Sequence, residues 1–335
     1  MGVNSKIIHS SATAHLSLAE KPIPIPPSPD CVVVESYAIA VNPVDVKVFA
    51  KLPFGVPLGS DYAGVVRHIG SDVQNFSVGD RVSGCLTTIP GSRFVGSYSV
   101  VNVKKDAIGV IPQQFSPIEA AAAPVTLGTA WRLTKYAEVR PDSRVLVLGG
   151  ATSVGTFVIQ LLKQKYNVAE VVATCSSKSS EYVKSFGADR TIDYNGDLRA
   201  SLLESVKDGK YTSIIDTVGD GPVGWIANKL VEKPKSKYNF LSCAGTAPPG
   251  DSYGMLHLLT SLPRISGRTM FGRLWGIKYS MVAVGREDWT ETLKFLDTGA
   301  DIKVPVDSVT PYNEALKAVE RLKNVGARGK LVIEF

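Results

Sequence analysis

Cysteine is scarce in this chain of 335 residues, and the four present, Cys31, Cys85, Cys175 and Cys243, stand singly with no C-x-x-C pair. Such spacing argues against a disulfide framework and against a structural zinc cluster, and it fits a reducing compartment such as the cytoplasm. Long apolar runs are missing too. No stretch approaches ~20 consecutive apolar residues, so no helical membrane span is expected. Residues Met1 to Leu18 lack the apolar core of a secretory signal and the arginine-rich character of a transit peptide. Charge is nearly balanced, 37 basic residues against 31 acidic, and the formal excess of +6 contains no basic block. An excess of this size helps to attract a polyanionic ligand and does not imply nucleic acid.

What is present suits a soluble chain with two cores: 44% apolar and 20% charged residues, over a length too great for one ordinary domain. The stretch around which the rest is organised runs from Arg144 to about Tyr166. Val145 to Leu148 reads as a strand buried on both faces, and Val158, Leu161, Leu162 and Lys165 repeat at helical spacing. Between them lies a glycine-rich turn. Strand, turn and helix in that order are the context of a dinucleotide site, because the turn brings backbone close to a pyrophosphate and the helix N-terminus offers N–H groups; the competing reading is an ordinary glycine-rich turn with no ligand. The cradle would be Gly149, Thr152, Ser153, Val154 and Gly155. Thr152 occupies the middle position of a G-x-x-G-x-x-G spacing, so the phosphates are expected to sit slightly further out or to gain a hydroxyl hydrogen bond.

Residues 1–123 read as a β-rich domain punctuated by glycine, the pattern of a compact barrel-like fold. Pro22 to Pro29 is expected as a stiff extended connector, Cys31 to Val41 as a strand, and Asn42 to Lys47 as a turn opening a short helix with Asp45 in its first turn. Residues 124–285 alternate helix and strand: a helix over Val125 to Tyr136, then strands at Glu170–Cys175, Arg190–Tyr194, Ser213–Val218, Tyr238–Ser242 and Tyr279–Val284. This gives an α/β fold with a doubly wound parallel sheet. No element is assigned from Ala244 to Lys278, where Phe271, Leu274 and Trp275 are read as lining either a substrate mouth or a dimer surface. Residues 286–335 add a helix at Asp288–Leu296, a strand near Val304, a helix at Asn313–Leu322 and a closing strand at Lys330–Phe335, returning to the first domain.

A fold of this kind that selects NAD usually ends its second strand with a carboxylate for the ribose diol. Here that strand ends Ala173-Thr-Cys-Ser-Ser-Lys178. Hydroxyls and a lysine suit a 2′-phosphate, so NADPH is the expected cofactor, held by Ser176 and Lys178 with Tyr194 on the other side. The competing readings are a solvated surface charge for Lys178 and an edge aromatic capping the sheet for Tyr194.

Several motifs in order, Asn42-Pro-Val-Asp45, Gly59-Ser-Asp-Tyr-Ala-Gly64, Val78-Gly-Asp-Arg-Val82, Gly128-Thr-Ala130, Phe186-Gly-Ala-Asp189 and Gly326-Ala-Arg-Gly-Lys330, resemble the zinc-independent branch of the medium-chain dehydrogenase/reductases. That branch includes quinone oxidoreductases of the zeta-crystallin type, and the form of the glycine turn is also similar to trans-acting enoyl reductases of polyketide synthesis. The resemblance implies a GroES-like substrate domain built from both chain ends, a Rossmann domain between them, and a cleft where nicotinamide meets substrate. It implies that Asn42 and Lys47 face the nicotinamide ribose and substrate, that Thr129 bonds near the nicotinamide or its phosphates, and that Arg328 and Lys330 approach the cofactor. Where zinc relatives carry a cysteine ligand this chain has Asn42 to Asp45, and where they carry Gly-His-Glu it has Gly59-Ser60-Asp61. No catalytic zinc is therefore expected. Asp45 is read equally as a helix cap or a catalytic residue.

The reaction expected is metal-free hydride transfer from NADPH to an enone, enoyl thioester or quinone. Lys47 would donate to the developing oxygen, with Tyr62 a second candidate. Two rivals stay open: an enoyl reductase docked on a megasynthase carrier protein, and an NADPH-binding structural or interaction protein. A homodimer is compatible with the sequence.

Overall fold

The computed structural model describes residues 3–11, 15–23, 25, 27–47, 50, 56–87, 94–219, 223–224, 226–233, 237–244, 266–324 and 327–335, the side chains of residues 3, 47, 323 and 324 excepted. The chain divides into two compact units, Met1–Gly128 together with Val284–Phe335, and Thr129–Ala283.

The first unit opens with strands β1 (Val3–Ser10) and β2 (Leu16–Ile23), followed by β3 (Cys31–Val41), helix α1 (Pro43–Lys47), β4 (Val56–Leu58), β5 (Asp61–Ile69), β6 (Arg81–Cys85), β7 (Tyr98–Asn102) and β8 (Ala107–Val110). Strands β2, β1 and β4 form a small antiparallel sheet in that order. The hairpin of β1 and β2 is not legible in the sequence, and β2 includes Pro22, where an extended connector was expected. Proline is tolerated there because β2 is an edge strand with no ladder on its outer side. Strand β3 is the hub of the larger sheet, pairing with both β5 and β7. Its register against β5 shifts between Ser36 and Ala38, opposite Gly64, where an added Cβ would lie 2.0 Å from the Glu35 carbonyl oxygen. The bend expected from glycine spacing is thus a bulge with no room for a side chain. Ile39, Leu58, Tyr62 and Ile333 lie in the core of this unit.

Helix α2 (Pro117–Ala122) starts at Ser116, whose hydroxyl accepts from the Glu119 N–H while Glu119 reaches back to the Ser116 N–H, a capping box. Helix α3 (Pro124–Ala137) follows, and the boundary between the units falls within it. The second unit continues with β9 (Arg144–Leu148), α4 (Ser153–Gln164), β10 (Glu170–Cys175), α5 (Ser180–Lys184), β11 (Arg190–Asp193), α6 (Leu198–Glu204), β12 (Ser213–Asp216), α7 (Ala227–Leu230), β13 (Phe240–Ser242), α8 (266–271) and β14 (Tyr279–Met281). All its strands are parallel, in the order β11-β10-β9-β12-β13-β14. Strand order reverses between β9 and β12, and a ligand crevice opens at such a switch, beyond the carboxyl ends of the strands. Val145, Leu146, Val147, Ile214 and Ile215 are fully buried, as strands covered on both faces require. The sequence reading left out α6, which Asp197 caps by accepting from the Ala200 N–H at 2.9 Å. Of the segment left unassigned, 245–265 lies outside the described residues; the rest contains α8 and a 3-10 turn at Gly272–Trp275.

The chain then returns to the first unit through α9 (Arg286–Leu296), β15 (Val306–Pro311), α10 (Ala315–Asn324) and β16 (Lys330–Glu334). Trp289 of α9 is fully buried and donates its indole N–H to the Ser83 carbonyl at 3.1 Å. Strand β16 lies between β15 and β3, parallel to one and antiparallel to the other. The closing strand brings Lys330 beside Asn42 and Asp61.

Candidate functional site

The turn between β9 and α4 is a tight backbone cradle. Gly149 adopts φ +83°, and a Cβ added at Gly155 would lie 2.2 Å from the Gly149 carbonyl oxygen. Both positions therefore require glycine. Thr152 is the N-cap of α4: its hydroxyl accepts from the Gly155 N–H at 2.9 Å and bonds the Gly149 carbonyl at 2.9 Å. The Thr217 hydroxyl, just past β12, lies 2.8 Å from that of Thr152 and donates within 2.8 Å of the Leu148 carbonyl. The hydroxyl that the sequence offered to a phosphate thus also stitches the turn across the switch point. Among the described residues the N–H groups of Ser153 and Val154 have no acceptor. Two open N–H groups at the start of a twelve-residue helix fit a nucleotide pyrophosphate.

At the carboxyl end of β10, Ser176 and Ser179 hydroxyls lie 3.0 Å apart, and Lys178 is exposed with no ion pair among the described residues. The Tyr194 N–H donates to the Cys175 carbonyl at 3.2 Å, which pins Tyr194 next to this tip with half its surface exposed. Ser176, Lys178 and Tyr194 therefore share one edge of the sheet. Asp193, paired with Cys175 across the ladder, stands there too. Hydrogen bonds from Asn195, then from Ser177, hold its carboxyl below the usual carboxylate range. The absence of an acid was read from the end of the second strand alone, and Asp193 ends the third.

In the first unit Asn42 and Lys330 come together in a buried polar cluster. Lys330 Nζ donates to Asn42 Oδ1 at 2.6 Å and to Asp61 Oδ2 at 2.7 Å. The Asn42 amide nitrogen donates to Asp61 Oδ2 at 2.7 Å, and Asp61 Oδ1 accepts from the Val125 N–H at 2.6 Å. Asp45 accepts from the Asn42 N–H at 2.7 Å and from the Ser60 hydroxyl at 2.6 Å. Asn42, Asp61 and Lys330 are no more than 3% exposed. Each polar end of Asn42 and the Lys330 ammonium therefore already has a protein partner. Burial pushes the Asp45 carboxyl up to about 6 against the pull of Ser60, Asn42 and Lys330. Asp45 acts here as the carboxylate that closes the first turn of α1, the cap reading of the two.

The remaining expected residues take their places in the two units as follows. Tyr62 is fully buried and donates its hydroxyl to the Ala107 carbonyl at 3.1 Å; burial raises its phenol well above the usual range. Thr129 is buried in α3, and Arg328 is exposed with its N–H on Asp307. Lys47 ends α1, and its side chain lies outside the described residues. The sequence reading also missed Asp216, at the carboxyl end of β12. Its Oδ1 accepts from the N–H groups of Val218 and Gly219 and its Oδ2 from the Ser242 hydroxyl, while burial pushes its carboxyl up to about 6. An acid ending an apolar strand just before Thr217-Val218-Gly219 was the available signal. Among the described residues no three His, Cys, Asp or Glu side chains are grouped as a metal ion requires.

Comparison with known proteins matches residues 28–115 to the alcohol dehydrogenase GroES-like domain and residues 153–233 to the zinc-binding dehydrogenase family. The chain is similar to the Yim1-2 protein of Lachancea thermotolerans, 31% identical over 92% of this chain and 91% of that one. Among solved structures it is similar to a quinone oxidoreductase from Coxiella burnetii, with a TM-score of 0.80 at 22% identity over 99% of this chain and 100% of that one, a likeness of fold. A putative zinc-dependent alcohol dehydrogenase from Rhizobium etli CFN 42 gives 0.74 at 26% identity, covering 100% of this chain and 99% of that one.

Proposed function

Because the chain belongs to the medium-chain dehydrogenase/reductase family, we propose that it is an NADPH-dependent reductase of an activated carbon–carbon double bond or a quinone, working without a metal. The cradle between β9 and α4 carries this reading: two N–H groups open at a helix N-terminus, on a turn that its glycines allow to pack tightly. The bound nicotinamide supplies the hydride.

The chain's own residues hold and orient. Ser153 and Val154 take the pyrophosphate, while Thr152 fixes the turn instead of reaching out. Ser176 and Lys178 favour the 2′-phosphate, with Tyr194 closing that edge; Asp193 opposes it, but its charge is directed to Asn195 and Ser177. Thr129 and Arg328 are further candidates for cofactor contact. Lys47 is the donor proposed for the developing substrate oxygen. Asn42, saturated by Asp61 and Lys330, is a positioning residue that fixes the start of α1 and so the helix that ends in Lys47. Ser60 and Asp61 are engaged with Asp45 and Lys330, which supports a metal-free reaction.

The test is a titration of the purified protein with NADPH and with NADH, followed by NADPH oxidation on a panel of quinones, short enones and acyl thioesters. Tighter binding of NADPH and turnover of one of these classes is expected. Failure to bind either nucleotide, or turnover abolished by a chelator, would overturn the reading; saturable binding with no turnover of any acceptor would leave a non-enzymatic binding protein.

A further inference from the structure

The bend after β12 backs the glycine cradle, and one fully buried carboxylate builds that bend. Asp216 ends β12, and its Oδ1 accepts from the Val218 N–H at 3.1 Å and from the Gly219 N–H at 2.9 Å. The side chain thus turns the chain locally, as aspartate does in tight turns, and Gly219 completes the bend at φ +96°. Among the described residues these two N–H groups have no other acceptor. The Ser242 hydroxyl donates to Oδ2 at 2.8 Å and so ties the carboxylate to the neighbouring strand β13.

The residues inside the bend press on the cradle. A Cβ added at Gly149 would lie 2.3 Å from Val218 Cγ1 and 2.7 Å from the Thr217 hydroxyl, so both side chains sit directly against that glycine. The Thr217 N–H donates to the Leu148 carbonyl at 3.0 Å, and its hydroxyl reaches that of Thr152. On the other side β10 holds the turn: the Gly150 N–H donates to the Thr174 carbonyl at 2.8 Å. The glycine turn is therefore gripped between β10 and a bend whose shape depends on Asp216. Burying a carboxylate is costly unless its hydrogen bonds are made, and here they are spent on this bend.

We propose that Asp216 is a positioning residue of the nucleotide site. By fixing Thr217, Val218 and Gly219 it holds the turn from Gly149 to Gly155 in the shape that presents the Ser153 and Val154 N–H groups, and it supports NADPH and NADH alike. The effect on affinity rests on the nucleotide reading of the cradle; the hold on the turn does not.

Hydrogen exchange of the full chain without nucleotide, read over residues 149–156 with α6 as reference, tests the hold, and titration with NADPH and NADH tests its consequence. Asp216→Ala should speed exchange over 149–156 at least about tenfold, leave α6 unchanged and weaken both nucleotides about tenfold. Asp216→Asn keeps an acceptor for both N–H groups and should stay within about twofold of the parent on every measure. Val218→Ala leaves the carboxylate in place and removes the side chain against Gly149. It should speed exchange about threefold, and it carries the test if Asp216→Ala does not fold. Exchange over 149–156 unchanged in the alanine variants, or raised equally in α6, overturns the proposal. So does an asparagine variant as loose as the alanine one, or faster exchange with nucleotide affinity at the parent level. A parent chain that binds neither nucleotide overturns the cofactor reading instead, while exchange still decides whether Asp216 holds the turn.

Discussion

Two lysines that the sequence assigns to the cofactor meet opposite fates in the two units. Lys330 is 3% exposed, with Asp61 and Asn42 as partners, whereas Lys178 lies exposed at the end of a strand with no ion pair among the described residues. The first unit saturates its polar cluster from within. The second saturates one carboxylate, Asp216, and leaves N–H groups and a cation open at the same end of the sheet. A buried polar group without a partner costs free energy, so internal saturation marks architecture and open groups on a rigid frame mark a place for ligand.

The comparison breaks most visibly at Lys330. Lys330→Met would leave Asp61 and Asn42 buried with one partner fewer and an uncompensated carboxylate. The loss is about 3–5 kcal/mol of stability, read as an earlier urea midpoint. If Lys330 instead serves mainly the nucleotide, the midpoint will hold and only NADPH binding will fall.

The two buried aspartates sharpen the contrast through pH. Burial pushes Asp45 and Asp216 each to about 6 from an ordinary 3.8. An acid whose value is raised on folding holds a proton that the unfolded chain has released. Its stabilisation is complete below about pH 4 and is lost as pH climbs through about 6, to the extent of about 3 kcal/mol per group. Asp216→Asn should recover up to about that much at pH 7 and nothing near pH 4. An amide there can still accept from Val218 and Gly219 and can donate to Ser242. Asp45→Asn should act in the same direction. Because Lys330 pulls Asp45 down, its gain should grow in the Lys330→Met background, while that of Asp216→Asn stays unchanged. Equal behaviour of the two would show that Lys330 has no special hold on the first cluster.

Within one unit, Thr152 separates capping from ligand binding. Thr152→Ala removes the acceptor for the Gly155 N–H and should cost about 1–2 kcal/mol of stability, the range of lost helix caps. Nucleotide affinity should fall much less than in a variant that blocks the open N–H groups, such as Ser153→Pro. A loss confined to affinity would return Thr152 to the phosphate.

What could be read in advance follows from the range of the interactions involved. The strands β9 to β14 and the glycine cradle are local patterns of apolar runs and turns, and they stand in the structure at nearly the expected residues. The small sheet of β1, β2 and β4 was illegible because β4 is only three residues long and lies far along the chain from its partner. The same limit explains the polar residues. Asn42, Asp61 and Lys330 lie 19 to 288 positions apart, and no local spacing reports that they share one buried hydrogen-bond cluster. A lysine in a returning tail reads identically whether it meets a phosphate or a buried aspartate.

The smallest expected effect falls on Lys178, and it discriminates best between cofactors. Because the side chain is exposed and unpaired among the described residues, Lys178→Glu should leave the urea midpoint nearly unchanged, as surface substitutions do. It would place a carboxylate beside the one already present on Asp193 and repel a 2′-phosphate. NADPH binding should weaken about tenfold at low salt while NADH binding changes about twofold or less, and the difference should shrink as salt is raised. Equal weakening of both nucleotides would move the 2′-phosphate away from this strand tip. A stabilised variant that binds NADH better than the parent would mean that Ser177 and Asp193 already shape this edge for a ribose diol.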